Sequence, residues 1–120
     1  MRKKIIHGDI KPSNILLSFN NNNVNKICFK ISDFGFSTLY EENNLGVVRG
    51  TSQFISPECL RGQNISDKSD IWSLGILIYY LLLQNYPYKG TEYEIVEQIE
   101  FNKQLNTIND KLLDNLLKKI

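Results

Sequence analysis

The stretch from Ile71 to Leu83 constrains the fold of this 120-residue chain more than any other. It is almost wholly apolar and is interrupted by the hydroxyl of Ser73. As a helix rising ~1.5 Å per residue it falls well short of a bilayer core of ~30 Å. It must therefore find its cover within protein. Apolar side chains lie nearly all the way round it, the pattern of a helix buried at the centre of a domain. Ser66 or Asp67 offers a cap at its start, and Tyr86-Pro87-Tyr88 breaks it. The length fits a single domain with a moderate core.

Upstream, Ile15-Leu16-Leu17 reads as a short strand and Asn20 to Asn25 as a polar turn. Lys26 to Ile31 alternates, with Ile27, Phe29 and Ile31 on one face. Together they predict a hairpin with Asn14 at one end of its chain and Asp33 at the other, both able to serve one site. Phe36 to Gly50 shows no sustained period, and its Glu41-Glu42-Asn43-Asn44 is polar and loop-like. A short helical turn is expected to close near Gly62. Thr91 and Glu94 have capping-box spacing, so a helix starts near Glu92. Asn109 can cap a last helix in which Leu113, Leu116, Leu117 and Ile120 form one face. The expected class is α+β, mainly helical, with a small β-hairpin.

A net charge of +1 gives no electrostatic reason to expect nucleic acid or a membrane surface as partner. Cys28 and Cys59 have neither CxxC spacing nor a histidine cluster, and read as free thiols in a reducing compartment. Met1-Arg2-Lys3-Lys4 is followed by only Ile5 and Ile6, too little for a secretory signal. The expected location is the cytoplasm.

Four blocks carry the chemistry. His7-Gly8-Asp9-Ile10-Lys11-Pro12-Ser13-Asn14 places a carboxylate, an ammonium and an amide oxygen in one short loop. Asp33-Phe34-Gly35 adds a second carboxylate after the second strand. Ser56-Pro57-Glu58 and Asp70-Ile71-Trp72-Ser73-Leu74-Gly75 follow. One carboxylate that accepts a hydroxyl proton, with a second carboxylate and an amide that hold magnesium, is the least that phosphoryl transfer from ATP to an alcohol needs. In this order and spacing, the blocks resemble a eukaryotic-type protein kinase over nearly the whole chain, as part of its larger helical lobe. Lys11-Pro12-x-Asn14, with Gly50-Thr51 ahead of the Pro-Glu pair, resembles the serine/threonine type.

The resemblance implies roles residue by residue. Asp9 looks like the catalytic aspartate, and Lys11 like the lysine beside the transferring phosphate. Asn14 and Asp33 look like magnesium ligands, since both offer hard oxygen. Thr51 would tie the substrate platform to Asp9 and Lys11. Leu16 resembles the residue packed under adenine, with Leu77 and Leu81 beneath it. His7 and Phe34 resemble a stacked apolar column, and Asp70 would accept backbone N–H groups of the catalytic loop. The implied cofactors are ATP and Mg2+, and the implied partner is a protein substrate.

The sequence departs from the pattern in places. Gly8 stands where many kinases carry an arginine that pairs with a phosphorylated residue. A phosphate on Ser37, Thr38 or Tyr40 would find no such partner there. Serine replaces the usual alanine at Ser56. Six residues precede His7, and no glycine-rich phosphate loop or strand lysine is present. Residues 1–120 are thus expected to form a partial kinase domain with the smaller lobe absent and both ends short. Glu58 is then expected to be a buried carboxylate without its usual arginine. Bare apolar faces would call for a protein partner. Little phosphotransfer is expected of these residues alone. The alternatives are a non-catalytic kinase-like scaffold or a truncated gene product.

Overall fold

The structure is a computed structural model and describes residues 4–20, 23–39 and 50–100. The expected loop at Glu41 to Asn44, Tyr40 and the expected last helix with Leu113, Leu116, Leu117 and Ile120 lie outside those residues.

Two small antiparallel sheets precede the helices. In the first, β1 (Ile5–Ile6) pairs with β4 (Thr38–Leu39). Neither strand was legible in the sequence, because two residues are too few to show a period. In the second, β2 (Ile15–Asn20) pairs with β3 (Asn23–Ile31) as the expected hairpin. Its strands run further into the asparagines than the turn residues suggested, with Asn20 opposite Asn23. A ladder open to solvent on its faces can continue through polar side chains, because strand preference depends on what packs around it. Ile15 pairs with Ile31, so both chain ends of the hairpin come together at its open end.

Among the described residues the α-helices are α1 (Pro57–Leu60), α2 (Asp67–Leu83) and α3 (Glu92–Glu100). α2 begins as the sequence predicts. Ser66 is its N-cap, its hydroxyl accepts from Lys68 N–H, and Ser69 completes a capping box by accepting from Ser66 N–H at 3.1 Å. It ends at Gln84 in the left-handed region, φ 52°. The core forms where Ile76 and Leu77 of α2 meet Ile10 and Phe54, with Ile15, Trp72, Tyr86 and Tyr88 packed around them.

The expectation of a helix buried on all sides is corrected. Ser69, Ser73, Gly75, Ile76, Leu77 and Tyr79 are buried, whereas Ile71, Leu74, Leu81, Leu82 and Leu83 are exposed. The described residues cover only one side of α2. The hairpin shows the same feature. Leu17, Phe19, Ile27, Phe29 and Ile31 share one face by register, and all are exposed, Phe29 at 69%.

α3 opens on the expected capping box. Thr91 N–H donates to Glu94 Oε2 at 2.6 Å, and Glu94 N–H donates to Thr91 Oγ1 at 3.3 Å. The backbone bond from Thr91, and next its hydroxyl, hold the Glu94 carboxyl below the usual carboxylate range. A carboxylate that titrates lower when folded stabilises above its unfolded pKa, and that contribution fades as pH falls through the folded pKa. Thr91→Ala keeps the backbone N–H and removes the hydroxyl, so it should move the Glu94 pKa upward only part of the way to its ordinary value, read by NMR titration of the side-chain carboxyl carbon.

Ser56 sits at the N-cap of α1 but makes no capping bond, and its hydroxyl is buried without a hydrogen-bond partner. A buried, unmet hydroxyl costs about 1–3 kcal/mol. Ser56→Ala should therefore raise stability by about 1 kcal/mol, seen as a higher urea midpoint with an unchanged slope.

Candidate active site

The loop from His7 to Asn14 is held from below by α2. Asp70, in the first turn of that helix, accepts His7 N–H on Oδ2 at 2.8 Å and Gly8 N–H on Oδ1 at 2.9 Å. The amino end of a helix suits such a carboxylate, because the backbone dipoles there favour negative charge. Gly8 has φ 79°, and a β-carbon on it would meet Ile65 Cδ1 at 3.0 Å and the Phe36 carbonyl oxygen at 3.1 Å. Glycine suits the position on both counts.

His7 is a buried group with both ring nitrogens used. Nε2 lies 3.1 Å from the Ser32 carbonyl oxygen, and Nδ1 accepts Asp9 N–H at 3.2 Å. A carbonyl can only accept, so this network assigns the ring proton to Nε2. The ring also meets Phe34 edge-on, with centroids 4.9 Å apart and planes at 66°. The two rings expected to stack meet edge to face instead.

Asp9 is 4% exposed, and its carboxylate is the centre of the cluster. Oδ2 faces Lys11 Nζ at 2.8 Å and accepts from Asn14 Nδ2 at 3.0 Å. Asn14 Nδ2 also donates to the Asp9 carbonyl oxygen at 2.8 Å. Both partners are acceptors, so the nitrogen of the Asn14 amide must point this way and its oxygen remains for another donor or a cation. Oδ1 of Asp9 turns toward Gly50, 3.2 Å from where a β-carbon would stand. Lys11 Nζ reaches Thr51 Oγ1 at 3.4 Å, so Thr51 joins the cluster through Lys11.

The hairpin delivers Asp33. Ser32 N–H and Ser32 Oγ both donate to the Asn14 carbonyl oxygen, at 2.9 and 3.2 Å. Asp33 follows at φ 62°, with Oδ1 accepting Gly35 N–H at 3.1 Å. Asp9, Lys11, Asn14 and Thr51 are thus linked by hydrogen bonds and an ion pair, and Asp33 stands beside them at the mouth of the hairpin. Among the described residues no three His, Cys, Asp or Glu side chains are grouped to hold a metal ion. A carboxylate and an amide oxygen are hard donors, and two such protein ligands suit a magnesium ion that completes its shell with phosphate oxygens and water.

Leu16 lies on the opposite hairpin face from Ile15, as the alternation of a strand requires. Leu16 and Leu81 are both exposed, while Leu77 sits in the core that Ile15 borders. Glu58, expected to be buried and unpaired, is half-buried and accepts from Ser69 Oγ at 2.9 Å. A hydroxyl in the first turn of α2 supplies its hydrogen bond. Ser32 and Ser69 lie outside the four motif blocks; the signals the sequence offers for them are a serine directly before Asp33 and a serine directly before Asp70.

A protein kinase domain profile matches residues 1–119. The chain belongs to the protein kinase domain family. Calcium-dependent protein kinase 4 of Plasmodium falciparum (isolate 3D7) is 37% identical over 127 residues, covering 99% of this chain and 23% of that protein. The probable serine/threonine-protein kinase nek1 of Dictyostelium discoideum is 33% identical over 133 residues, covering 97% of this chain and 27% of that protein. The serine/threonine-protein kinase ppk6 of Schizosaccharomyces pombe is 34% identical over 116 residues. The chain spans about a quarter or less of the length of these kinases, 14% in the last case.

In this kinase sequence the loop geometry depends on Asp70. Asp70→Ala leaves two loop amides without their acceptor, at about 1–3 kcal/mol for each buried donor left unmet. The variant should lose about 2–4 kcal/mol of stability in urea denaturation, with the Gly8 amide exchanging faster than those of Ile76 to Tyr80.

Proposed function

We propose that these residues form the catalytic half of a serine/threonine protein kinase, transferring the ATP γ-phosphate to serine or threonine hydroxyls of protein substrates. The observation that carries the reading is the division of labour on Asp9. One oxygen is engaged by Lys11 and Asn14, while the other faces Gly50, where a β-carbon would stand only 3.2 Å away.

In this reading the substrate hydroxyl enters beside Gly50 and gives its hydrogen to Asp9 Oδ1 as its oxygen attacks. Lys11 and Asn14 hold the carboxylate in that pose. Lys11 also places a positive charge beside the phosphoryl group as negative charge spreads over its oxygens. Thr51 steadies Lys11 and anchors the substrate edge of the site. Asn14 Oδ1 and Asp33 would hold magnesium, whose contribution when bound is to neutralise and orient the phosphates. Leu16 would lie under the adenine ring. The elements described here correspond on this reading to the larger, helical lobe, and residues 1–120 to a partial kinase domain running from the catalytic loop past the substrate-binding helix. Positioning supplies much of the rate in this reaction. Residues 1–120 contain no phosphate clamp of their own, so by themselves they should transfer little.

The exposed apolar face of the hairpin favours a second reading, a kinase-like scaffold covered by a protein partner. One assay separates the two. Transfer of labelled γ-phosphate from ATP to serine/threonine peptides is measured with these residues joined to a phosphate-clamping lobe of a related kinase. Asp9→Asn should lower the rate by about 10²–10⁴-fold, and Asp33→Asn should weaken the response to Mg2+. Transfer that ignores both substitutions, or none at all in the joined protein, overturns the kinase reading. Robust Asp9-dependent transfer by residues 1–120 alone overturns the claim that they need the clamp.

A further inference from the structure

Ser69 and Ser73 stand one turn apart on the buried side of α2 and reach the same stretch of chain. Ser69 Oγ donates to Glu58 Oε1 at 2.9 Å. Ser73 Oγ donates to the Phe54 carbonyl oxygen at 2.7 Å, and lies 3.1 Å from the Ser69 carbonyl oxygen. A hydroxyl has one hydrogen, so these two carbonyls compete for it and the shorter contact is with Phe54. The Ser69 carbonyl is the ordinary i−4 acceptor of a serine within a helix. Should the turn Ser52–Phe54 lift away, the hydrogen can swing to that acceptor. The hydroxyl keeps an acceptor in either arrangement, so the group that loses its bond on release is the Phe54 carbonyl.

Phe54 has a second anchor. Its ring meets Tyr86 edge-on, with centroids 5.7 Å apart, and Tyr86 stacks on Tyr80 at 4.7 Å. The ring also packs with Ile76 and Leu77, so α2 holds the ring by packing and the carbonyl by the Ser73 hydroxyl. Thr51, at the start of the same turn, is the residue that meets Lys11.

We propose that Ser73 is a positioning residue. Its hydroxyl pins the turn Ser52–Phe54 to α2 and so sets where Gly50 and Thr51 stand against Asp9 and Lys11, with the Ser69 carbonyl as the standby acceptor. The proposal rests on the reading of residues 50–55 as the substrate-facing edge. Losing the pin loosens that edge and leaves the nucleotide-facing residues, Asn14 and Asp33, in place.

The test uses the full-length protein that carries these residues, as wild type, Ser73→Ala and Ser73→Thr. Two amides report on the turn: Phe54 N–H donates to the Thr51 carbonyl oxygen at 2.9 Å, and Ile55 N–H to that of Ser52 at 3.3 Å. In Ser73→Ala their hydrogen exchange should rise by about tenfold relative to amides of Ile76 to Tyr80. KM for a serine/threonine peptide should rise by a similar factor, with KM for ATP unchanged. Ser73→Thr, which keeps the hydroxyl, should restore both. Exchange that rises equally in the turn and in α2, unchanged exchange at Phe54 and Ile55, or a KM for ATP that moves with that for peptide, overturns the proposal. If the wild type transfers no phosphate, the kinase reading fails and the exchange measurement decides the pin by itself: selective loss at the turn upholds it, and uniform or no loss ends it.

Discussion

The site depends on one carboxylate gripping two consecutive backbone amides. Asp70 takes the N–H groups of His7 and Gly8, one on each oxygen. A loop cannot be placed to within a fraction of an ångström by apolar packing alone, because dispersion contacts have no direction. A bidentate carboxylate does have direction, and Asp70 is carried on the longest helix among the described residues. The bond therefore transmits the rigidity of α2 to the residue that follows, Asp9. His7 adds a second fixing, with its ring held between the Asp9 amide and the Ser32 carbonyl.

From that fixed point the rest of the cluster follows by valence. Asp9 Oδ2 is shared by an ammonium and an amide, so Oδ1 is the oxygen that faces Gly50. Asn14 gives its nitrogen to Asp9, which turns its oxygen the other way. Ser32 ties the Asn14 backbone to the chain entering Asp33. Each side chain has its orientation set by a neighbour with only one way to bond. Such a cluster is preorganised, and preorganised polar groups act on developing charge without first rearranging.

α2 plays two roles that pull on its sequence in different ways. Its apolar stripe builds the core with Ile10 and Phe54. Its serines bond in three ways: Ser66, the N-cap, accepts Lys68 N–H, Ser69 donates to Glu58, and Ser73 donates to the Phe54 carbonyl. A serine inside an apolar helix looks like a flaw in a hydrophobic pattern. Here two of the three are the points at which the helix grips the segment leading to the site. Ser56 is the contrasting case, buried with nothing to bond.

The sequence by itself determined the local events. The Thr91–Glu94 capping box, the cap at Ser66, the turn closing near Gly62, the hairpin alternation and the order of the four motif blocks are short-range patterns, set by hydrogen bonds and side-chain spacing within a few residues. It also named the members of the site, because Asp9, Lys11 and Asn14 share one short loop. Only the tertiary structure decided how they divide the work: which oxygen of Asp9 is engaged, that Thr51 arrives through Lys11, that Glu58 finds Ser69, and which side of α2 is covered. Those outcomes depend on groups far apart in the chain, such as His7 and Asp70, and no periodicity records a contact that folding alone brings about.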